Sequence, residues 1–195
     1  MNSWFRGFVQ GKTRIVLAWI FAALLILCAR DYPTLPGIIV CFVGATIRFW
    51  ASGYLRKDSR PAIGGPYAFA RNPLYLGTYL MALGTALAIQ NAWLLGSITI
   101  LFAIIYHYII LDEETKLSRI FGSPYETYKK SVPRFFPRLW PASRVALEQV
   151  NPEPSHRKYD WGLSHKNKAY EAYVTFAVLI GFVAGIAYLW QRLGS

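Results

Sequence analysis

Apolar residues fall in five blocks along this chain, at about residues 15–29, 37–55, 74–89, 92–111 and 173–190. Each block approaches the roughly 20 residues that a helix needs to cross a bilayer. One such block can be a buried helix of a soluble protein. Five of them in 195 residues leave too little polar chain to cover them. The pattern predicts an all-α, polytopic integral membrane protein with about five transmembrane helices, organised as a single domain over residues 1–195. Arg6, Lys12 and Arg14 precede the first block as they would in a signal peptide, but no small-x-small cleavage site follows. The block therefore reads as a retained helix.

The breaks between blocks carry their own signals. Residues 30–36 hold two prolines and predict a tight turn between helices one and two. Asn72 is a good N-cap and Pro73 fits the first position of helix three, so the first free N–H groups of that helix form a potential anion site. Gln90-Asn91 predicts a short turn into helix four. That helix is expected to continue past the membrane to Phe121 and to stop at Gly122 and Pro124. Residues 125–137 are aromatic and basic and are broken by prolines, which suits a segment folded back onto the membrane surface. Residues 138–172 read as a polar cytoplasmic segment without legible organisation, and residues 173–190 as the final transmembrane helix. Gly181 and Gly185 in that helix make a small-x-x-x-small pair suited to helix packing.

Charge sharpens the topology. The chain carries a formal net charge of +11. Its Lys and Arg residues gather before the first block, in the 56–71 loop and over residues 116–168, whereas the opposite side has only Arg30 and Arg192. This positive-inside asymmetry places the N-terminus and the polar segments in the cytoplasm and the C-terminus outside, in a bacterial-type cytoplasmic membrane. The basic excess thus reflects orientation and anionic lipid headgroups rather than nucleic acid. Arg48, about two turns inside the second block, is read as a snorkelling or paired residue, or as a functional charge. Cys28 and Cys41 are expected to be free thiols, and no spacing suggests a metal site.

A hairpin of helices three and four brings two polar clusters to one membrane face. One holds Tyr67, Arg71, the amides after Asn72, and Tyr75. The other holds Asp112, Glu113 and Glu114. Together they would hold a ligand that bears both an ammonium and a carboxylate, with the tyrosine faces attracting a cation. The bland alternative is a solvated helix face on which Lys116 pairs with Asp112 or Glu113. His107 lies seven residues before Glu114, about two turns deeper on the same face. It is a weak candidate for a general base, and a structural histidine is the commoner outcome.

The ordered set Gly65-Pro66-Tyr67, Arg71-Asn72-Pro73-x-Tyr75-x-Gly77, Glu113-Glu114, Phe121-Gly122-x-x-Tyr125-x-x-Tyr128 and Val132-Pro133 resembles the isoprenylcysteine carboxyl methyltransferase and phospholipid methyltransferase group. The resemblance covers about residues 40–137. It implies a membrane-embedded, S-adenosylmethionine-dependent methyltransferase with a cytoplasmic cofactor pocket. It assigns cofactor binding to Tyr67, Arg71, Asn72, Pro73, Tyr75, Gly77, Glu113 and Glu114. It further implies a lipophilic acceptor that enters from the bilayer, with Ser131 and Arg134 on the acceptor side. Two departures stand out. Asn72 replaces a histidine common in that group, and Ser131 replaces the arginine that prenylcysteine enzymes place before Val-Pro. The second points away from a prenylcysteine carboxylate. The alternatives are a non-catalytic scaffold or small transporter, and a nicotinamide-dependent membrane reductase.

Overall fold

The computed structural model describes residue 23 and residues 25–56 and 60–193. Most of the first apolar block, with the basic residues before it, lies outside the described residues. No strand occurs among the described residues. Seven helices follow the end of a first helical stretch at Cys28: α1 (Leu35–Ser52), α2 (Pro73–Ile89), α3 (Ala92–Phe121), α4 (Ser123–Ser131), α5 (Arg144–Val150), α6 (Trp161–Lys166) and α7 (Glu171–Leu193). Helices α1, α3 and α7 are long and apolar enough to cross a membrane, and α2 is a shorter apolar helix. The all-helical membrane architecture expected from the apolar blocks is thus present.

Sequence punctuation sets the helix ends. Gln90 adopts a left-handed backbone, and the Asn91 side chain accepts from Leu94 N–H at 2.9 Å, which starts α3. Its 30 residues span about 45 Å, so its last turns stand beyond a hydrocarbon core of about 30 Å. Gly122 then turns the chain at φ +60°.

Helices α1 and α2 pack closely because glycine removes the side chains between them. A Cβ on Gly37 would lie 2.2 Å from Ala88 N, and one on Gly84 would lie 2.3 Å from Cys41 N. In the middle of the contact, a Cβ on Gly77 would lie 2.6 Å from both the Gly44 carbonyl and the Arg48 side chain. Such close backbone approach is a common basis of helix association in lipid. Cys41 is buried in this seam, and both Cys41 and Cys28 are free. The expected packing pair Gly181 and Gly185 behaves differently: a Cβ at either position would meet nothing within 4 Å. Helix α7 instead turns Val183, Ile186 and Ala187 inward.

A polar cap closes one end of the bundle. Its interior joins Ile63 and Ala68 to Tyr125, Tyr128, Val132, Ala142, Leu147 and Val150. Residues 133–142 run beside residues 68–71, with hydrogen bonds from Arg71 N–H to Pro133 O, Arg138 N–H to Phe69 O and Ala142 N–H to Ala68 O. Residues 138–172, which the sequence left without organisation, contain α5 and α6 and fasten the cap. Asn167 Nδ2 donates to the carbonyls of Ser52 and Leu55, each at 2.8 Å. Buried Asn151 donates to Pro61 O at 3.2 Å. At the far end, Trp190 Nε1 donates to Ile26 O, and Arg30 lies over the Trp190 ring.

Candidate functional site

Where α1, α2 and α3 enter the cap, a cavity of about 570 Å³ opens. That volume is typical of small-molecule sites. Tyr67, Arg71, Asn72, Pro73, Tyr75 and Glu113 all line it, so the hairpin does bring the two polar clusters together. Gly77, Glu114, Ser131, Arg134 and His107 are not on its wall.

The adjacent glutamates have separate duties. Successive helical residues point about 100° apart, so one face cannot hold both. Glu113 is half-buried on the cavity wall and accepts from Tyr75 OH at 2.7 Å. Glu114 is only 3% exposed and faces into the protein. Its Oε1 receives Arg71 Nε at 3.0 Å and Arg71 Nη2 at 2.8 Å, while its Oε2 receives Arg134 Nε at 3.0 Å. Arg71 Nη1 further donates to the carbonyls of Lys129 and Val132. This clamp joins the loop before α2, helix α3 and the chain after α4. Of the bland alternative, the Asp112–Lys116 pair is present, at 2.7 Å, but the Asp112 side chain is largely buried.

Asn72 stands at the expected cap position, yet its side chain does not cap the helix. It is buried and donates from Nδ2 to Arg134 O at 2.9 Å. The nearby carbonyl of the folded-back strap takes the side chain, a contact that local spacing does not reveal. Pro73 does occupy the first turn of α2. Gly77 serves the α1–α2 contact rather than the wall. Ser131 Oγ turns back to Thr127 O at 3.0 Å, and Arg134 is engaged by Glu114. His107 is exposed on the outside of α3, beside Tyr108.

Tyr67 is the most telling wall residue. It is buried, it lines the cavity, and its hydroxyl has no hydrogen-bond partner. Buried polar atoms are rarely left so, and those that are often mark a ligand position. Burial pushes its phenol well above the ordinary tyrosine value, and the nearby Glu113 charge adds to the rise. It therefore remains a protonated donor at neutral pH. Tyr125 and Tyr128 also line the cavity, and burial raises both phenols. Tyr128 OH donates to Tyr67 O at 2.6 Å and so fixes the turn that carries Tyr67.

Three further arginines line the wall: Arg48, which the sequence raised as a functional charge, and Arg56 and Arg60, which it did not single out. Arg56 pairs with Asp160 at 3.1 Å, which ties the cavity rim to the start of α6. Their clustering near one end of the apolar blocks was visible, but the expected positive-inside topology explained it equally well.

Residues 33–124 match the family model for phospholipid methyltransferase. Over this core the chain is similar to the phospholipid methyltransferase family. The chain is 32% identical over 133 residues to a protein of Alcaligenes xylosoxydans xylosoxydans named nickel-cobalt-cadmium resistance protein NccN, covering 67% of this chain and 58% of that protein. It is also 32% identical over 122 residues to protein-S-isoprenylcysteine O-methyltransferase of Schizosaccharomyces pombe, covering 60% of this chain and 49% of that enzyme. The chain thus spans about half the length of these curated relatives. No solved structure matches. The family match ends within the first turn of α4, so the cap beyond residue 124 adds wall residues outside it.

Proposed function

We propose that this protein is a membrane methyltransferase that transfers a methyl group from S-adenosylmethionine to a lipophilic acceptor. The observation that carries the reading is the unsatisfied Tyr67 hydroxyl beside the half-buried Glu113 carboxylate in a tyrosine-walled cavity. The family match and the relative named as an O-methyltransferase support it.

The donor set suits S-adenosylmethionine. Glu113 is the carboxylate for an ammonium, held in place by Tyr75. The Tyr67 hydroxyl is a free donor for a ligand oxygen or ring nitrogen. Tyr67, Tyr125 and Tyr128 offer aromatic surface to a cationic centre or a flat base. Arg71 lines the wall but most of its N–H groups are engaged, so its role is to hold the wall in shape. When bound, S-adenosylmethionine supplies an electrophilic methyl on a positively charged sulfur. The protein's part is to align that methyl with the acceptor and to exclude water.

The acceptor reaches the site from the bilayer. The polar cap faces the cytoplasm, because the 56–71 loop and the basic residues after α3 lie at that end of the bundle. The test is calorimetry on purified protein in detergent, titrated with S-adenosylhomocysteine. Saturable binding is expected. Folded protein that takes up none removes this reading.

A further inference from the structure

Arg48 is built into the α1–α2 contact in a way that simple snorkelling does not require. Its side chain passes over Gly77, where any Cβ would sit 2.6 Å from Arg48 Cγ. The glycine therefore makes the passage. At the far end, Arg48 Nη1 donates to Thr78 Oγ1. The Thr78 hydroxyl in turn donates to Leu74 O at 2.9 Å, so its oxygen is left to accept from the arginine. The guanidinium is thus threaded through the helix contact at Gly77 and held by the adjacent residue of α2.

This orientation leaves a charge to be answered. Arg48 lines the cavity and forms no ion pair among the described residues. A guanidinium has five N–H donors, and Thr78 takes only one. Thr78 lies five residues inside α2, so about 7.5 Å below the helix start. Charge at such depth is costly unless it is partnered. Glu113 lies on the same wall but is bonded to Tyr75 instead. The other arginines are placed differently. Arg56 has Asp160 as partner, and Arg60 is exposed in the cap. Ser131 and Arg134 are turned away from the cavity.

We propose that Arg48 anchors an anionic oxygen group of the acceptor, a carboxylate or a phosphate, at the membrane-side floor of the cavity. The inference rests on the methyltransferase reading and adds the residue that would select an anion-bearing acceptor over a neutral one. The same chemistry is present in the carboxylate of S-adenosylmethionine. Depth separates the two sources. Arg48 lies within the apolar length of α1 and α2, where a bilayer-dissolved molecule arrives, whereas the cap supplies the walls that a water-soluble ligand meets first.

The experiment uses full-length protein in neutral detergent and measures three dissociation constants: oleate, oleyl alcohol and S-adenosylhomocysteine. The unmodified protein is expected to prefer oleate to oleyl alcohol by at least tenfold. Arg48→Gln keeps a donor for Thr78 but removes the charge, and should abolish that preference. Arg48→Lys should keep part of it. Both should bind S-adenosylhomocysteine within twofold of the unmodified protein, which also reports folding. Should Arg48→Gln fail to fold, Thr78→Val frees the guanidinium without removing it, and should lower the oleate preference severalfold. Unchanged oleate preference in the folded variants overturns the proposal. So does loss confined to S-adenosylhomocysteine, which would assign Arg48 to the cofactor carboxylate. So does an unmodified protein that binds oleate no better than oleyl alcohol. Absence of S-adenosylhomocysteine binding in the unmodified protein is a separate result, and counts against the methyltransferase reading itself.

Discussion

Arg71 grips a single oxygen of Glu114 with two nitrogens, at 3.0 and 2.8 Å, and leaves the other oxygen to Arg134. The Arg71 and Glu114 side chains are only 8% and 4% exposed. Removing one partner of such a pair strands the other in a poorly solvated site. Glu114→Ala should lower stability by about 3–5 kcal/mol, seen as a fall in the thermal unfolding midpoint in detergent. A loss within about 0.5 kcal/mol, the range for an exposed pair, would contradict the clamp.

Glu113→Gln should do the opposite. The side chain is half-buried on the cavity wall, so the fold should change little. Affinity for S-adenosylhomocysteine should fall by about 1.5–3 kcal/mol, the range for hydrogen bonds to charged groups. Comparing the two glutamate variants separates support from binding, and equal effects on both readouts would refute the division.

Tyr67→Phe removes a buried hydroxyl that has no protein partner. The ligand-free protein should therefore be as stable as before, or more so. Binding of S-adenosylhomocysteine should weaken by about 0.5–1.5 kcal/mol if the hydroxyl bonds to it. Destabilisation of the ligand-free protein without any change in affinity would mean that the hydroxyl serves the fold.

The helix seam gives a third contrast. A Cβ on Gly84 would meet Cys41 backbone at 2.3 Å, so Gly84→Ala should cost about 1–3 kcal/mol through overpacking. Gly185→Ala meets open space and should stay within about 0.5 kcal/mol. Similar unfolding midpoints for the two variants would argue against the α1–α2 contact.

Asn151→Ala tests the cap. Asn151 Nδ2 lies 3.2 Å from Pro61 O and 2.8 Å from His156 Nδ1, and its Oδ1 accepts from Glu153 N–H at 3.1 Å. Leaving these buried partners unmatched should cost about 1–3 kcal/mol. Because Pro61 lines the cavity, affinity for S-adenosylhomocysteine should fall as well. Unchanged affinity would detach the cap from the site.

Much of this was legible locally. Asn72-Pro73, Gln90-Asn91 and Gly122 mark helix ends whose geometry depends on nearby residues, and the hairpin they define brings Arg71 and Glu113 together. What was not legible depends on partners remote in sequence. Glu113 and Glu114 look equivalent until α4 and the strap close over one of them. Asn72 looks like a cap until Arg134 O, 62 residues on, claims its amide. Gly181 and Gly185 looked like a seam, whereas the seam formed at Gly37, Gly44, Gly77 and Gly84. Each of those pairs is spaced by seven, a helical repeat that was present in the sequence. His107 shares a helical face with Glu114, but the cap that buries the glutamate does not reach two turns deeper.

The Arg71–Glu114–Arg134 tie has a thermodynamic consequence for any ligand. It is assembled wholly from the protein's own groups, so the wall bearing Arg71 is immobilised before a ligand arrives. Binding there incurs little rotamer entropy, which is the advantage of preorganisation. The rim of the cavity is held less tightly. Arg56 is the example: its link to Asp160 at the rim is partly exposed and far more easily parted than a clamp of two arginines on one buried carboxylate.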